Sequence, residues 1–248
     1  MVLYVVYKAS KEFKDRSALP DRLKALGCKR LHKAFWKIDE ERVNRVLKVL
    51  EKNQPILLKR VRELKKPQFE ENRRISELGS LVIVMYAAPK EVKREKIRSI
   101  IKRAPCIRLR RSIYAFFQKH SLFDKDHQLV DALEFADFIK GIKGDVKIIP
   151  RVVIVNTNSI ERLLQETRER VESETSDIIG CCRELCGKVL RGDDVRLIRD
   201  SLSKNKRRFL TLKKVATFYE KWLRMDFSRT LMKSYHAVRK VNSIVNRE

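Results

Sequence analysis

Short apolar runs recur through the first two thirds of the chain at intervals that suit a sheet. Val5-Val6-Tyr7 and Val84-Met85-Tyr86 are brief, β-branched and aromatic, the mark of a buried strand, and they lie 79 residues apart. Cys28-Lys-Arg-Leu-His-Lys-Ala-Phe-Trp36 lies over Cys106-Ile-Arg-Leu-Arg-Arg-Ser-Ile-Tyr114 at an offset of 78. Cys, Arg and Leu recur, and Lys33/Arg111 and Trp36/Tyr114 are like for like. Self-similarity of this kind signals an internal duplication.

The elements between these runs repeat as well. A basic helical stretch follows each first strand, Leu19–Leu26 in one copy and Glu91–Lys102 in the other. The Cys-led segment reads as a second strand. A second helix follows, with Val43, Val46, Leu47 and Leu50 on one face, or Leu129, Leu133, Phe135, Phe138 and Ile139 in the second copy. Each copy closes on an apolar run, Ile56-Leu57-Leu58 and Val146–Val155. The pattern predicts an α+β chain of two tandem ferredoxin-like (split βαβ) units, with one strand of each copy unplaced. The boundaries are 1–64 for the first unit, 65–79 for a polar linker and 80–156 for the second unit.

Residues 157–248 carry helical spacing instead. Ile160, Leu163, Leu164, Val171, Ile178, Cys182, Leu185 and Val189 predict one long helix, weakest at Glu172–Ser176. Gly192-Asp193-Asp194 breaks it, with an Asp as N-cap for a short helix through Leu202. Two more helices are expected, one spanning Leu212 to Leu223 and one from Phe227 to Val245 through Tyr235. They form a bundle, brace a sheet, or pair two copies as a homodimer.

Charge adds the functional hint. The 248 residues carry 58 Lys plus Arg against 32 Asp plus Glu, a formal charge of +26. The excess is not confined to a tail: residues 1–80, 81–150 and 201–248 carry net +10, +7 and +10. Lys93, Arg94, Lys96, Arg98, Lys102, Arg103, Arg108, Arg110 and Arg111 are opposed within 93–111 only by Glu95. Lys204, Lys206, Arg207, Arg208, Lys213 and Lys214 have no acid among them. Such self-repulsion is relieved by a polyanion, so nucleic acid, DNA or RNA, is the expected partner. An apolar fraction of 43% excludes wholesale disorder. No run approaches the roughly 20 apolar residues of a membrane span. Met1–Tyr7 is too short for a signal peptide, and five cysteines point to reduced thiols in the cytoplasm.

Candidate chemistry is sparse. The seven glycines match no phosphate-loop pattern, and no nucleophile elbow or HExxH helix is present, so neither cofactor nor metal is expected. His120, Asp124, Asp126, His127 and Asp131 form the most site-like cluster; His120, Asp124 and His127 are the weak catalytic candidates of a nuclease. The bland alternative is a polar loop with an Asp capping a helix. Cys181, Cys182 and Cys186 lack the paired spacing of a structural zinc site, and Cys28 and Cys106 read as small core residues. The basic–aromatic segments are stronger. If each is one strand, Arg30, His32 and Trp36 share a face, as do Arg108, Arg110 and Tyr114. Cations beside an aromatic suit phosphate contacts with base stacking by Trp36 and Tyr114; core aromatics flanked by solvated cations are the alternative.

The opening strand Leu3–Tyr7 and the stretch Leu23-Lys-Ala-Leu-Gly-Cys-Lys-Arg-Leu-His-Lys-Ala-Phe-Trp36 resemble the ferredoxin-like domain of three families. These are the second universal CRISPR-associated protein, the C-terminal part of the phenylacetate-operon repressor and the N-terminal domain of chromate-resistance regulatory proteins. The helical extension is most similar to the last. The CRISPR relatives place an Asp after the first strand, where a metal for nucleolysis could bind; this chain has Lys8, Ala9 and Ser10, and Ala87, Ala88 and Pro89 in the second copy. Tandem units also resemble CRISPR repeat-processing endoribonucleases, without their Gly-rich loop. The expectation is a nucleic-acid-binding protein without its own catalytic centre, a DNA-binding regulator in the version the resemblance implies. A CRISPR-type or RNA-processing nuclease, or a structural component of a ribonucleoprotein, is the alternative.

Overall fold

The computed structural model describes residues 2–8, 17–71, 74–118 and 129–246. They form a mixed architecture of an antiparallel eight-stranded sheet, a small ribbon and seven α-helices. The chain divides into two compact units. One comprises Met1–Lys96, Cys106–Lys125 and Asp131–Leu164; the other comprises Ile97–Pro105, Asp126–Val130 and Gln165–Glu248.

Along the chain from Leu3 to Ile154 the order of elements is repeated. The first pass runs β1 (Leu3–Val6), α1 (Leu19–Ala25), β2 (Lys29–His32), β3 (Phe35–Ile38), α2 (Val43–Leu50) and β4 (Ile56–Arg60). Then comes a ribbon of β5 (Gln68–Phe69) and β6 (Ile75–Glu77). The second pass runs β7 (Leu81–Ala87), α3 (Arg94–Lys102), β8 (Cys106–Arg110), β9 (Ile113–Phe117), α4 (Ala132–Gly141) and β10 (Asp145–Ile154). The sheet order is β2-β3-β1-β4-β10-β7-β9-β8. In each half the opening strand lies between the third and fourth strands of its own pass, and the halves meet where β4 pairs with β10.

Each Cys-led segment, expected to be one strand, is a two-stranded hairpin. Lys29–His32 pairs with Phe35–Ile38, and Cys106–Arg110 with Ile113–Phe117. This supplies the strand the pattern left unplaced. The turns escape a sequence reading because Lys33-Ala34 and Arg111-Ser112 carry no Gly, Pro, Asn or Asp, and a lone Ser is a weak turn signal. Ser112 takes φ +65, a left-handed conformation uncommon for a residue with a side chain.

Burial explains the rest of the sheet unit. All four residues of β1 are buried, so it packs on both faces. Leu3, Val5, Trp36, Ile38, Val46 and Leu50 belong to one core. Asp131 caps α4 through a full capping box, its carboxylate accepting from Leu133 and Glu134 N–H at 2.8 and 2.9 Å. Leu133, expected on the apolar face, is 64% exposed; Ala132, Phe135, Ala136 and Ile139 are buried instead. The segment expected as a polar linker holds the ribbon, closed at Gly79. A Cβ there would lie 2.7 Å from the Lys65 carbonyl oxygen, and its φ of +75 suits glycine.

β10 serves both halves. It pairs with β7 through Ile149 and, after a register shift, again at Val152, and it pairs with β4 over Val152–Ile154. Pro150 and Arg151 (φ +58) sit at the shift, and Arg151 Nη1 donates to the Arg62 carbonyl at 3.0 Å. Beyond it, Asn156 ties the start of α5 (Thr157–Leu190) to β4. Its amide oxygen accepts from Leu57 N–H and its amide nitrogen donates to the Pro55 carbonyl, both at 3.0 Å.

The helical unit holds most of α5 together with α6 (Val195–Leu223) and α7 (Ser228–Val245). α5 runs unbroken through Glu172–Ser176. The expected break after Leu202 is absent, and α6 continues to Leu223. The polar stretch 203–208 looks like a loop, but Asn205 is buried. Its amide nitrogen donates to the Ile178 carbonyl and the Cys182 Sγ, each at 3.1 Å. Asp194 caps α6 by accepting from Arg196 N–H at 2.8 Å. Tyr235, expected on the buried stripe of α7, is 44% exposed.

Candidate nucleic-acid interface

The two hairpins carry clustered cations in the sheet unit. In the first, Arg30 stands opposite Trp36, and partners across a ladder project to the same side. The guanidinium lies 5.7 Å from the indole centroid, a cation–π contact, and Nη2 donates to the Lys33 carbonyl at 3.3 Å. In the second, Arg108 stands opposite Tyr114. Arg30, Lys33, Arg108 and Arg111 are exposed; His32 and Arg110 are half-buried.

The aromatics are not surface platforms. Trp36 is fully buried and Tyr114 is buried, stacked on Tyr86 at 6.3 Å and edge-on to Phe135. Their expected role in stacking bases is therefore withdrawn. The strand pattern that would expose them assumed one continuous strand; in the hairpins both rings turn into the core.

Two tyrosines that the charge pattern does not single out organise the cations. Tyr7 follows β1 and is buried; burial pushes its phenol above the ordinary value, while Arg30 and Arg110 pull it back. The Trp36 indole N–H approaches the Tyr7 hydroxyl, yet Nε1 completes no well-formed hydrogen bond. Tyr86 is the penultimate residue of β7, and burial raises its phenol against the Ser112 hydroxyl and the cations Arg108 and Arg111. The arrangement is duplicated. Each phenol meets an arginine from its own half, Arg30 or Arg108. From the other half Arg110 acts on the Tyr7 phenol, whereas the aligned His32 reaches the Tyr86 backbone and not its phenol.

At position 32 the residue is histidine. Burial pushes its imidazole below the ordinary 6.5, and Lys33, Lys147 and Arg30 push the same way, against a hydrogen bond to the Tyr86 carbonyl. Lys147 Nζ donates to the Leu31 carbonyl at 3.4 Å, bringing β10 into the cluster. Arg110 is lowered by burial and by Arg108. Among the described residues, every charge that shifts Tyr7, His32 or Tyr86 is a cation.

The other expected contacts fall differently. Lys93 and Arg94 are exposed in the sheet unit, and Arg98, Lys102 and Arg103 in the helical unit, so the run 93–111 is divided. Lys102 pairs with Glu174 at 2.7 Å. Arg208 lies 3.7 Å from Glu174 and 3.9 Å from Asp177, with Nη1 on the Cys181 Sγ at 3.6 Å. Lys206 donates to the Asn242 amide oxygen. Lys204 and Arg207 are exposed.

No protein-family model matches the chain. No curated protein and no solved structure matches it either. The catalytic candidates His120, Asp124 and His127 lie outside the described residues, while Asp131 is a helix cap. Cys28 and Cys106 are buried in the core, and burial raises the Cys182 thiol. Among the described residues no group of three or more His, Cys, Asp or Glu is placed to hold a metal ion. No described helix is long and apolar enough to cross a membrane.

Tyr7, Tyr86 and Lys147 are the residues that charge counting passes over. The signal for the tyrosines was present: they close the two apolar runs that align at an offset of 79. Lys147 carried none, because its contact with the Leu31 carbonyl joins residues 116 positions apart.

Proposed function

We propose that this protein binds nucleic acid through its phosphates, using two ferredoxin-like halves whose hairpins and strand ends form one cationic surface. The ferredoxin-like reading is supported by the repeated element order and by the position of each opening strand between its third and fourth strands. The binding reading is carried by one observation: the cations around Tyr7, His32 and Tyr86 converge from both halves without an opposing carboxylate among the described residues. A surface so built is costly unless an anion occupies it. Arg30, Lys33, Arg108, Arg110, Arg111 and Lys147 make the primary contacts. Lys93 and Arg94 extend them.

Fluorescence anisotropy on labelled duplex DNA, duplex RNA and single strands, from 50 to 500 mM salt, tests this. About six phosphate contacts give a log–log slope near −5 on duplex DNA. A slope near zero, or no binding at low salt, overturns it. The probe bound most tightly assigns the protein to DNA regulation or to a ribonucleoprotein.

A further inference from the structure

The two most exposed large apolar side chains among the described residues are Leu190, at 84%, and Leu197, at 66%. They stand on either side of the turn between α5 and α6, and neither serves the core. Leu185 and Val189 carry the buried stripe of α5 there, and Ile198 and Leu202 carry that of α6. The turn is fixed by its backbone. Gly192 takes φ +75 and donates to the Val189 carbonyl at 2.9 Å, and Asp193 N–H donates to the Lys188 carbonyl at 3.1 Å. A cleft opens beside it, lined by apolar Leu185, Leu197 and Ile198 and by charged Lys188, Asp193 and Asp194. Its empty space, counted out to open solvent, is about 300 Å³. Single exposed leucines are ordinary. Two of them at a rigid turn, beside an apolar cleft, make a contact surface.

Charge selects what covers it. Between Arg183 and Ser201 five cations stand among four carboxylates, Glu184, Asp193, Asp194 and Asp200. The following stretch, 202–214, has six cations and no acid, and α7 has four and no acid. The other exposed apolar groups of the helical unit, Leu210, Met232 and Tyr235, lie in those two cationic stretches. A polyanion or an acidic protein is drawn to the cations, not to this mixed end. A chain of formal charge +26 repels its own copies, and least where both signs are interspersed. The surface with the most exposed leucines is thus also one where a second copy can approach.

We infer that the α5–α6 turn is a self-association surface, on which two copies of this chain pair by two-fold symmetry and the Leu190 of each enters the cleft of the other. In such a contact one patch serves both copies, and Lys188, Asp193 and Asp194 bring both signs of charge to it. The rigid turn presents its leucines without an ordering cost. Two helix ends cover less than a standard interface, so the pair is weak, with a dissociation constant on the order of 10–100 μM. The inference stands apart from the nucleic-acid reading, because none of these residues belongs to the phosphate surface.

Sedimentation velocity tests it, on the full chain freed of nucleic acid, from 5 to 500 μM protein and 50 to 500 mM salt. Dimer should form in that range and tighten several-fold as salt screens the repulsion between copies. Leu190→Glu and Leu197→Glu should each weaken it by at least about tenfold, because a carboxylate is then forced against an apolar cleft. Leu210→Glu, exposed on the cationic stretch of α6, should leave it within about twofold. Thermal melting checks that each variant folds; where a Glu variant does not, the milder Leu→Gln change decides, with a loss of at least about threefold expected. A chain that stays monomeric at 500 μM at every salt overturns the surface. So does a dimer that survives the changes at Leu190 and Leu197, falls equally with Leu210→Glu, or weakens as salt rises.

Discussion

Two basic regions that look alike in sequence are treated in opposite ways by the fold. In the helical unit the cations find partners: Lys102 and Arg208 share Glu174, Arg208 reaches Asp177, and Lys206 is held by Asn242. In the sheet unit Arg30, Arg108 and Arg110 face phenols, an indole and one another. Paired exposed charges contribute little to stability and offer little to a ligand. Arg110 is drawn partly out of water beside Arg108, which is costly, and a site that keeps it there has a use for an anion. Charge density along the chain therefore does not rank contacts; the neighbours each cation finds in space do.

The comparison can be broken first at its foundation. Trp36→Ala should cost about 3–5 kcal/mol of stability, because a fully buried indole is removed from the first half's core. Chemical denaturation measures it. A cost below about 1 kcal/mol would return Trp36 to the surface and to base stacking.

Next, the double substitution Arg30→Gln with Arg110→Gln should weaken nucleic-acid binding by about a hundredfold and reduce the salt slope by about two. The matching pair in the helical unit, Lys206→Gln with Arg208→Gln, should change binding by no more than about threefold. Anisotropy on both proteins decides between the regions, and reversal of that ranking would make the helices the interface.

His32 sharpens the contrast through pH. Its folded pKa lies below the ordinary 6.5, so the unfolded chain binds the proton more readily and stability falls as pH drops below about 6.5. The loss levels off below the folded pKa. His32→Asn should remove this part of the pH dependence, read as melting temperature between pH 7.5 and 5. The smallest effect expected is that of Asp131→Ala, about 1 kcal/mol from the lost cap, with nucleic-acid binding unchanged. Changed binding would draw the polar cluster around it back into the function.

Much of the fold was legible because it is periodic. The repeated element order, the opening strands, both helices of the first pass and the start of α5 follow from apolar spacing and recurring residues. The hairpins were hidden because their turns use Lys-Ala and Arg-Ser, and left-handed backbone at Ser112 leaves no trace in composition. The continuity of α6 was hidden because Asn205 reads as polar and exposed, whereas its amide is satisfied in the core by Ile178 and Cys182. Of the candidate interface, the arginines were visible and their pairing was not. Glu174 lies 72 positions from Lys102, and no local pattern foretells that contact.

The shared strand β10 has a consequence for how the chain is made. As the chain emerges from the ribosome, the first half can assemble all four of its strands, but the outer side of β4 has no neighbour until Val152–Ile154 is synthesised. At roughly 5–20 residues per second that interval lasts on the order of 5–20 s. Throughout it an unpaired edge bearing Leu58 is open to pairing with another nascent chain. Lys59 and Arg60 on the same strand would keep such chains apart by repulsion. The charge that marks the finished molecule as a phosphate binder thus also guards its birth.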